Sequence, residues 1–308
     1  MLRLTVRDPA VRPGGELVGT AEWSLPSAPA AARVRLLWRT AGKGDPDSAV
    51  VRTADLPAPA AEDARGFRIR LPDGPPSFSG RLISLMWSAR LECPPHGAAE
   101  TEIVLSPTGR ELLAGPGRRA RDNPFGTGRI ASVRYRPAGS SLPQLLDRLD
   151  GLGRRAALVG PHGSGKTTLM EDLAGLLGGR GFRIRHLRLR EGDALSAAAR
   201  IEPLLSGAGA GDFLLLDSAG LLGWWDWRTF RHRSRLAGGV LVTAHRRGRL
   251  PTLWEHATDP ALLAEIVAGL AADDPPPERL IREAFARRRG NLRDALRDLY
   301  DAWADEAW

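Results

Sequence analysis

The chain has 308 residues, of which 43% are hydrophobic and 26% are charged, and its formal net charge is +8 at pH 7. These values are ordinary for folded protein, so they exclude a largely disordered chain, and the length suggests about two domains. A single cysteine, Cys93, excludes an internal disulfide and a cysteine-based metal cluster, in agreement with a reducing compartment.

The amino-terminal residues lack the apolar core of a signal peptide, and no stretch approaches the ~20 apolar residues of a membrane span. We therefore expect a cytoplasmic protein. Residues 1–109 carry 13 basic and 12 acidic side chains, whereas residues 110–308 carry 31 and 24. This basic excess permits binding to a small anionic ligand, to nucleic acid or to an acidic partner, without requiring any of them.

The first 108 residues contain short segments in which apolar and polar residues alternate, separated by Pro, Gly and Asp. Alternation with period two predicts strands with one face packed inward, and their spacing favours an antiparallel β-sandwich. The segments cover residues 2–6, 17–23, 33–38, 67–71, 82–91 and 101–105.

Two passages of this region resemble the amino-terminal lobe of the arrestin family. Residues 13–19 (PGGELVG) stand where that family has a Pro-Gly turn before a strand, and residues 67–80 resemble its F-x-L-P … P-S-F-x-G passage. The resemblance implies a module that binds a protein partner, although this chain has one such lobe and the family has two. The alternative is a sandwich that only packs against its neighbour.

Residues 109–128 are rich in Gly, Pro and Arg, and hydrophobic periodicity disappears there. This composition, centred on residues 115–119, predicts a linker. Its arginines are either solvated or contact an anionic partner.

Residues 156–170 read as a short apolar strand, a glycine-rich turn and the start of a helix. In that context Gly160, Gly165, Lys166 and Thr167 match the phosphate-binding pattern G-x-x-x-x-G-K-[ST]. Glycines let the main chain approach a polyphosphate, and the helix dipole adds to the attraction. Lys166 is expected to reach the β- and γ-phosphates, and the Thr167 hydroxyl is expected to bind Mg²⁺.

Main-chain N–H groups from about Gly163, through Ser164 and Gly165, to Thr168 are expected to point at the phosphates. Only two of the 44 basic residues are lysines, Lys43 and Lys166. A lysine in the loop of so arginine-rich a chain therefore favours a site that needs a compact ammonium group.

Predicted strands and helices alternate through residues 129–258, which indicates a parallel sheet covered on both faces, with ligands at the carboxyl ends of the strands. A helix is expected to precede the loop, and another is expected between the second and third strands. The strands cover residues 182–189, 213–217, 239–245 and 252–254, and the helices 142–152 and about 194–205.

From Asn123 onward the chain resembles the AAA+ superfamily of ATPases, especially the branch with clamp loaders and origin-recognition ATPases. Asn123 and Phe125 stand in a segment that resembles the one lying over the adenine base. Asp217 follows four apolar residues and resembles the Walker B aspartate that holds Mg²⁺. Thr243 or His245 resembles sensor 1, which orients the attacking water or the γ-phosphate.

The carboxyl-terminal region has three helical segments, covering residues 261–271, 278–289 and 292–303. Residues 290–296 (GNLRDAL) resemble the G-[DN]-x-R-x-A-L pattern of the AAA+ lid. The resemblance implies that Arg293 is sensor 2, which reaches the γ-phosphate. The alternative is a surface arginine paired with Asp294 or Asp298.

Active AAA+ enzymes usually continue the Walker B pattern with a glutamate that acts as base, and this chain has Ser218. A serine cannot accept that proton at neutral pH without help, so Asp226 or Glu191 would have to serve, or hydrolysis is slow. Residues 217–220 also match the D-x-x-G of GTPases, but a guanine-reading N-K-x-D segment is missing, which favours ATP.

Trp224, Trp227 and Phe230 share one face of a predicted helix, either to stack on nucleic-acid bases or to fill a core. The arginines between residues 228 and 249 could include an arginine finger that acts on a neighbouring subunit. The sequence therefore leaves the oligomeric state undecided.

The sequence thus predicts a multidomain protein: an arrestin-like β-sandwich (1–108), a linker (109–128), an AAA+-like α/β core with a parallel sheet (129–258) and a three-helix lid (259–308). We expect it to bind ATP and Mg²⁺ and to act as a nucleotide-dependent switch or remodeller whose sandwich binds a protein partner. The alternatives are an ATPase that binds nucleic acid, a phosphotransferase acting on a small acceptor, and an ATP-binding scaffold that does not hydrolyse.

Overall fold

The computed structural model of the protein describes residues 1–115, 117–192 and 196–308. The chain forms two compact units. The first unit comprises residues 1–130 together with 299–308, and the second comprises residues 131–298.

The first unit contains ten strands in two sheets. One sheet has the order β1-β3-β6, and the other has the order β10-β7-β8-β4-β5, with β9 beside β8 and β2 beside β9. The described pairs are antiparallel except β2–β9 and β7–β10. The strands are β1 (Leu2–Val6), β2 (Ala10–Val11), β3 (Glu16–Ser24), β4 (Ala32–Gly42), β5 (Ser48–Leu56), β6 (Glu62–Arg70), β7 (Phe78–Gly80), β8 (Ile83–Glu92), β9 (Ala98–Leu105) and β10 (Leu112–Ala114).

The two sheets pack face to face around one hydrophobic core. Leu17 and Phe67 enter it from the three-stranded sheet, and Val34, Trp87 and Ile103 enter it from the other. Trp87 is fully buried, and its indole N–H donates to the main-chain carbonyl of Pro75 at 2.9 Å, which satisfies its polar atom. The β-sandwich and its six predicted strands are therefore present.

Strand β5 was not predicted, and its position explains why. It lies at the end of the sheet order, and most of its nine residues are exposed or half-buried. Because such an edge strand has little inward face, its sequence lacks the alternation that reveals the central strands.

The segment predicted as a linker belongs in large part to the first unit. Strand β10 pairs with β7, and a 3₁₀ turn covers Ala120–Asp122. Arg121 forms ion pairs with Glu102 and Glu111. Two arginines of the segment, Arg119 and Arg121, thus have acidic partners inside this unit. Pro116, at the centre of the predicted linker, lies outside the described residues.

The last ten residues of the chain also belong to the first unit, which differs from the predicted assignment of 259–308 to a lid. The Tyr300 hydroxyl donates to the Arg81 carbonyl at 2.9 Å, and Lys43 forms an ion pair with Asp301. Tyr300 is fully buried. Helical periodicity cannot show which unit a helix packs against, so this division was not visible in the sequence.

The second unit is built on a five-stranded parallel sheet with the order β12-β13-β14-β11-β15, which confirms the predicted parallel sheet. Residues 194 and 195, which the sequence places in a helix, lie outside the described residues. The strands are β11 (Arg155–Val159), β12 (Arg183–Arg188), β13 (Asp212–Asp217), β14 (Gly239–Ala244) and β15 (Thr252–Glu255).

Helices surround this sheet and extend to its carboxyl-terminal side. Helix α1 crosses the boundary between the two units, and α8 begins in the second unit and ends in the first. The helices are α1 (Thr127–Ser132), α2 (Leu142–Gly151), α3 (Lys166–Gly179), α4 (Ala197–Leu205), α5 (Trp224–Arg233), α6 (Pro260–Leu270), α7 (Glu278–Arg287) and α8 (Leu292–Ala304).

Both faces of the parallel sheet are buried. Ala157 and Leu214 point to one core, which also takes Phe230 of α5, whereas Leu158 and Leu215 point to the other, against α2 and α3. Burial on both faces explains why β13 and β14 are almost uninterrupted apolar runs. Because all strands are parallel, their carboxyl ends meet at one edge of the sheet.

Among the described residues no helix is long and apolar enough to cross a membrane. Cys93 is buried in the sandwich as a free thiol, and burial raises its pKa.

Gly239, at the start of β14, leaves no room for a larger residue. A Cβ atom there would lie within 2.7 Å of three carbons of the Phe213 ring. We expect Gly239→Ala to destabilise the second unit by about 1–3 kcal/mol, because the ring must shift within a packed core. Urea denaturation followed by circular dichroism measures the change.

Gly175→Ala is the matched control. Gly175 lies inside α3, and its Cβ position has no neighbour within 4 Å. This variant should be neutral or more stable by roughly 0.5–1 kcal/mol, since alanine loses less entropy in a helix. Equal effects of the two substitutions would contradict the packing argument.

Candidate nucleotide-binding site

The predicted phosphate loop connects β11 to α3 in the second unit. Strand β11 ends at Val159, and α3 begins at Lys166 with Gly165 as its N-cap residue. The φ angles of Gly160, Gly163 and Gly165 are 154°, 68° and 85°. Only glycine adopts such angles without strain, so the loop needs glycine at all three positions.

The same glycines are also required by close packing on the loop. A Cβ atom on Gly165 would lie 2.7 Å from Cδ2 of Tyr135, and one on Gly160 would lie 2.7 Å from Cβ of His256. A Cβ atom on Gly163 would overlap the side chain of Asn291. Neighbouring segments therefore pack closely against the loop from outside.

Lys166, the first residue of α3, is buried at the base of the loop. Its Nζ donates to the carbonyl of Gly160 at 2.9 Å and also to the carbonyl of Pro161. Burial lowers the pKa of Lys166 to about 8, and the nearby charge of Asp217 offsets part of this shift. The site thus holds a poorly hydrated ammonium group, which gains strongly from contact with an anion.

Asp217 ends β13 and accepts hydrogen bonds from two threonines. Thr167 Oγ1 donates to Asp217 Oδ2 at 2.9 Å, and Thr243 Oγ1 donates to Asp217 Oδ1 at 2.5 Å. Thr243 is the penultimate residue of the neighbouring strand β14, which lies between the strand of the loop and the strand of Asp217. Residues from three separate segments therefore converge at the carboxyl edge of the sheet.

Thr167 and Asp217 also satisfy the chemistry of the predicted magnesium site. A threonine hydroxyl and a carboxylate are hard oxygen ligands of the kind that Mg²⁺ binds beside phosphates. Their hydrogen bond of 2.9 Å shows that both oxygens reach the same point next to the buried ammonium. When bound there, the metal would neutralise charge on the phosphate oxygens.

Arg188 was not singled out in the sequence. It ends β12, and its Nε lies 3.3 Å from Asp217 Oδ2. The sequence does show three arginines in β12. A strand rich in arginine, however, is equally typical of a face exposed to solvent.

Ser218 follows Asp217 in the left-handed region, with φ at 66°. Its main-chain N–H donates to Thr243 Oγ1 at 2.7 Å. The two residues considered as substitute bases, Asp226 and Glu191, make no described hydrogen bond or ion pair with the residues of this site. The role of either residue as the base stays a prediction.

The two histidines beside the loop stack on each other. The rings of His162 and His245 lie 3.7 Å apart at an angle of 31°. His245 Nδ1 lies 3.3 Å from the Gly160 carbonyl, so it carries the proton in this contact. Partial burial and the charges of Lys166 and His162 lower the pKa of His245, so it is neutral near pH 7.

His256 and Tyr135 form a second layer that sequence reasoning missed. His256 Nδ1 donates to the Ser164 carbonyl at 2.8 Å, and its ring lies 4.4 Å from that of Tyr135. The Tyr135 hydroxyl accepts from Trp254 Nε1 at 2.9 Å. Tyr135 stands in a segment without periodicity, so only the fold brings it to the loop.

Two further residues of the loop, Ser164 and Thr168, were predicted to contact phosphate. Ser164 is buried, and its hydroxyl donates to the Pro161 carbonyl at 2.9 Å. Thr168 is half-buried in the first turn of α3. Their contacts with phosphate stay predictions.

Arg293 lies in the first turn of α8. Its main-chain nitrogen is 3.1 Å from the Cβ position of Gly163, so the helix begins beside the loop. The described ion pairs of Asp294 and Asp298 are with Arg297 and with Arg287 and Arg288, so the alternative of a surface pairing of Arg293 stays a prediction as well. The role of Arg293 as sensor 2 stays a prediction.

Asn123 and Phe125 belong to the first unit and are buried there. Asn123 Nδ2 donates to the Tyr300 carbonyl at 3.1 Å, and Asn123 Oδ1 accepts from the Phe125 main-chain N–H at 3.0 Å. The Phe125 ring lies edge-on to Trp308 at 6.4 Å. These contacts account for their burial, and their role over an adenine base stays a prediction.

No protein-family model matches the sequence, and neither does any curated protein. The chain is similar to solved structures of a DNA replication initiation factor (16% identity, TM-score 0.39), NtrX from Brucella abortus in complex with ATP (14%, 0.40) and AMPPCP-bound DnaA from Aquifex aeolicus (15%, 0.34). The alignments cover 52%, 57% and 50% of this chain and 59%, 52% and 57% of those chains, so it spans little more than half their length. Likeness at this level does not assign a family.

The buried His256 should make the second unit sensitive to acid. Burial lowers its pKa to about 4, below the ordinary 6.5, so the unfolded chain takes up a proton more readily than the folded one. Between pH 6.5 and 4 we expect the free energy of unfolding to fall as pH falls, by up to about 3 kcal/mol from this residue. Urea denaturation across this pH range measures the slope.

His256→Asn is the control, since it keeps an amide donor for the Ser164 carbonyl but does not titrate. We expect this variant to be less stable at pH 7 and to have a smaller slope with pH. An unchanged slope would show that His256 is not responsible for the acid sensitivity.

Proposed function

We propose that the second unit binds ATP with Mg²⁺ and acts as an AAA+-type ATPase module. The observation that carries this proposal is the convergence of Lys166, Thr167, Asp217 and Thr243 beside a loop that requires glycine at three positions. An ammonium group, a hydroxyl and a carboxylate in this arrangement suit a metal-bound polyphosphate better than any other common ligand. The missing guanine-reading segment favours ATP over GTP.

We further propose that bound nucleotide acts as a switch. Arg293 stands in the first turn of α8, and its exposed side chain has no partner among the described residues. It is therefore available to a γ-phosphate at the adjacent loop. In this proposal, the γ-phosphate sets the position of the lid and changes how the protein binds its partner, with the β-sandwich as the partner-binding module suggested by its resemblance to the arrestin family.

A second candidate, an ATP-binding scaffold with little hydrolysis, is favoured by Ser218. The residue after the Walker B-like aspartate cannot accept a proton from water at neutral pH. Its main-chain N–H is already bound to Thr243. Among the described residues, neither Asp226 nor Glu191 makes a hydrogen bond or ion pair with the site. We expect turnover below the usual range of about 1–10³ s⁻¹.

Lys166→Ala tests nucleotide binding. The lysine is desolvated without a ligand and gains a charge-assisted contact when phosphate binds, so its loss should weaken ATP binding at least roughly 100-fold, about 2.7 kcal/mol. Removing a buried ammonium should not unfold the unit. Isothermal titration calorimetry with Mg-ATP measures the affinity.

Lys43→Ala is the matched control, because it removes the only other lysine and leaves the loop intact. It should bind ATP as the wild type does. Retained ATP affinity in Lys166→Ala, or an equal loss in both variants, would sink the assignment.

A proton-linkage measurement tests the same site without a mutation. Since the pKa of Lys166 is about 8, close to half of the molecules are deprotonated at pH 8. Binding a polyphosphate raises this pKa, so ATP binding at pH 8 should take up about half a proton on average, whereas binding at pH 6.5 should take up much less on this lysine. Calorimetry in buffers of different ionisation enthalpy detects it, and uptake at pH 8 should disappear in Lys166→Ala.

The Ser218→Ala variant tests whether the serine takes part in ATP hydrolysis or whether hydrolysis is slow without its help. If Ser218 takes no part in proton transfer, the variant should turn over ATP at the wild-type rate. Asp217→Asn should lower turnover at least tenfold, since it weakens the metal site. A tenfold loss in Ser218→Ala, measured by phosphate release in single turnover, would instead assign the serine a part in the reaction.

A further inference from the structure

A second cleft lies in the same unit, at the opposite edge of the parallel sheet. It has a volume of about 590 Å³, within the range of small-molecule sites. Four arginines and two aromatic residues are prominent in its lining: Arg155, Arg231, Arg235, Arg249, Trp227 and Phe230.

The strand register separates this cleft from the phosphate loop. Arg155 begins β11 and pairs with Val240 near the start of β14, and both residues line the cleft. The loop follows Val159, at the other end of β11. Four residue steps at roughly 3.3 Å each put about 13 Å between the two ends of the strand. One ligand bound in the loop would therefore leave the cleft open.

The positive charge of the cleft is not neutralised by the described protein. None of its four arginines has a carboxylate within ion-pair distance in the described part of the chain. Elsewhere in this unit, by contrast, Arg183 pairs with Asp212 and Arg247 with Glu255.

Two of these arginines are held in place by main-chain carbonyls. Arg155 Nη2 donates to the carbonyls of Ser234, Arg235 and Ala237 at 3.0–3.2 Å. Arg249 Nη2 donates to the Leu222 carbonyl at 2.6 Å. These contacts orient both guanidinium groups and leave their charges uncompensated.

Burial lowers the pKa of both Arg155 and Arg249, and the charge of Arg235 adds to the effect on Arg155. Arginine stays protonated in proteins, so each of these two guanidinium groups keeps its charge although it is partly removed from water. This desolvation cost persists until an anion approaches. Arg231 and Arg235 stand near the carboxyl end of α5, where the helix dipole accounts for positive charge. That dipole does not account for Arg155 or Arg249.

One wall of the cleft is apolar. The rings of Trp227 and Phe230 stack at 5.6 Å and 27°, and the Arg249 guanidinium lies 5.0 Å from the centre of the Trp227 ring. A cleft with an aromatic wall and unneutralised guanidinium groups suits a ligand that has an apolar body and an anionic group.

We propose that this cleft binds a small organic anion, with its phosphate or carboxylate group between the guanidinium groups and its apolar body against Trp227 and Phe230. Guanidinium forks bind either group in a bidentate manner. The proposal does not depend on nucleotide binding at the loop.

Calorimetric titration of the full chain with phenyl phosphate, benzoate and inorganic phosphate tests the proposal. Phenyl phosphate or benzoate should bind more tightly than inorganic phosphate, and the tighter of the two identifies the anionic group. The double variant Arg231→Gln, Arg235→Gln should weaken that binding at least tenfold, because each charged hydrogen bond contributes about that factor. Both residues are exposed, so the fold should persist.

The matched control is the double variant Arg228→Gln, Arg246→Gln. It removes the same charge from two exposed arginines of this unit that do not line the cleft. Its affinity should stay within about threefold of the wild type, as a general charge effect is small. Lys166→Ala should bind the probe normally.

Three results would overturn the proposal. The first is no saturable binding of either aromatic probe up to roughly 10 mM. The second is an equal loss in both double variants, which indicates non-specific attraction. The third is loss of binding in Lys166→Ala, which would place the probe in the phosphate loop.

Discussion

A buried ammonium group near a buried carboxylate is the interaction on which the candidate nucleotide site depends. Lys166 and Asp217 come from segments 51 positions apart, and each is costly to bury alone. The carbonyls of the loop and the hydroxyls of two threonines satisfy their hydrogen bonds. These hydrogen bonds hold the ammonium and the carboxylate in place, as the proposed Mg-ATP site requires.

Sheet topology makes this arrangement available. Since β14 lies between β11 and β13, Thr243 near its carboxyl end stands between the loop and Asp217. Parallel strands also leave a second edge, at their amino ends, where Arg155 and Arg249 are half-buried without carboxylate partners in the described part of the chain. The same sheet thus presents two basic sites of different construction: one made of main-chain amides and a lysine, the other of guanidinium groups and aromatic rings.

Glycine has two separate tasks in this unit. In the phosphate loop, glycines are required by positive φ angles and by close contact with Tyr135, His256 and Asn291. At Gly239 the φ angle is ordinary, and only the Phe213 ring excludes a side chain. The first kind of glycine can be recognised from a local pattern, whereas the second depends on a neighbour 26 positions away.

Local patterns in the sequence determined the strands and helices and located the loop of the candidate nucleotide site. Apolar periodicity revealed six strands of the sandwich, the parallel strands and the three carboxyl-terminal helices, because burial imposes that period directly. The spacing of Gly160, Gly165, Lys166 and Thr167 located the loop, since those residues act within one turn of chain. Only the tertiary structure decided that Tyr135 and His256 brace the loop and that residues 299–308 belong to the first unit. It also decided that four arginines of separate segments share a cleft. These contacts join residues distant in sequence, and no short-range pattern encodes them.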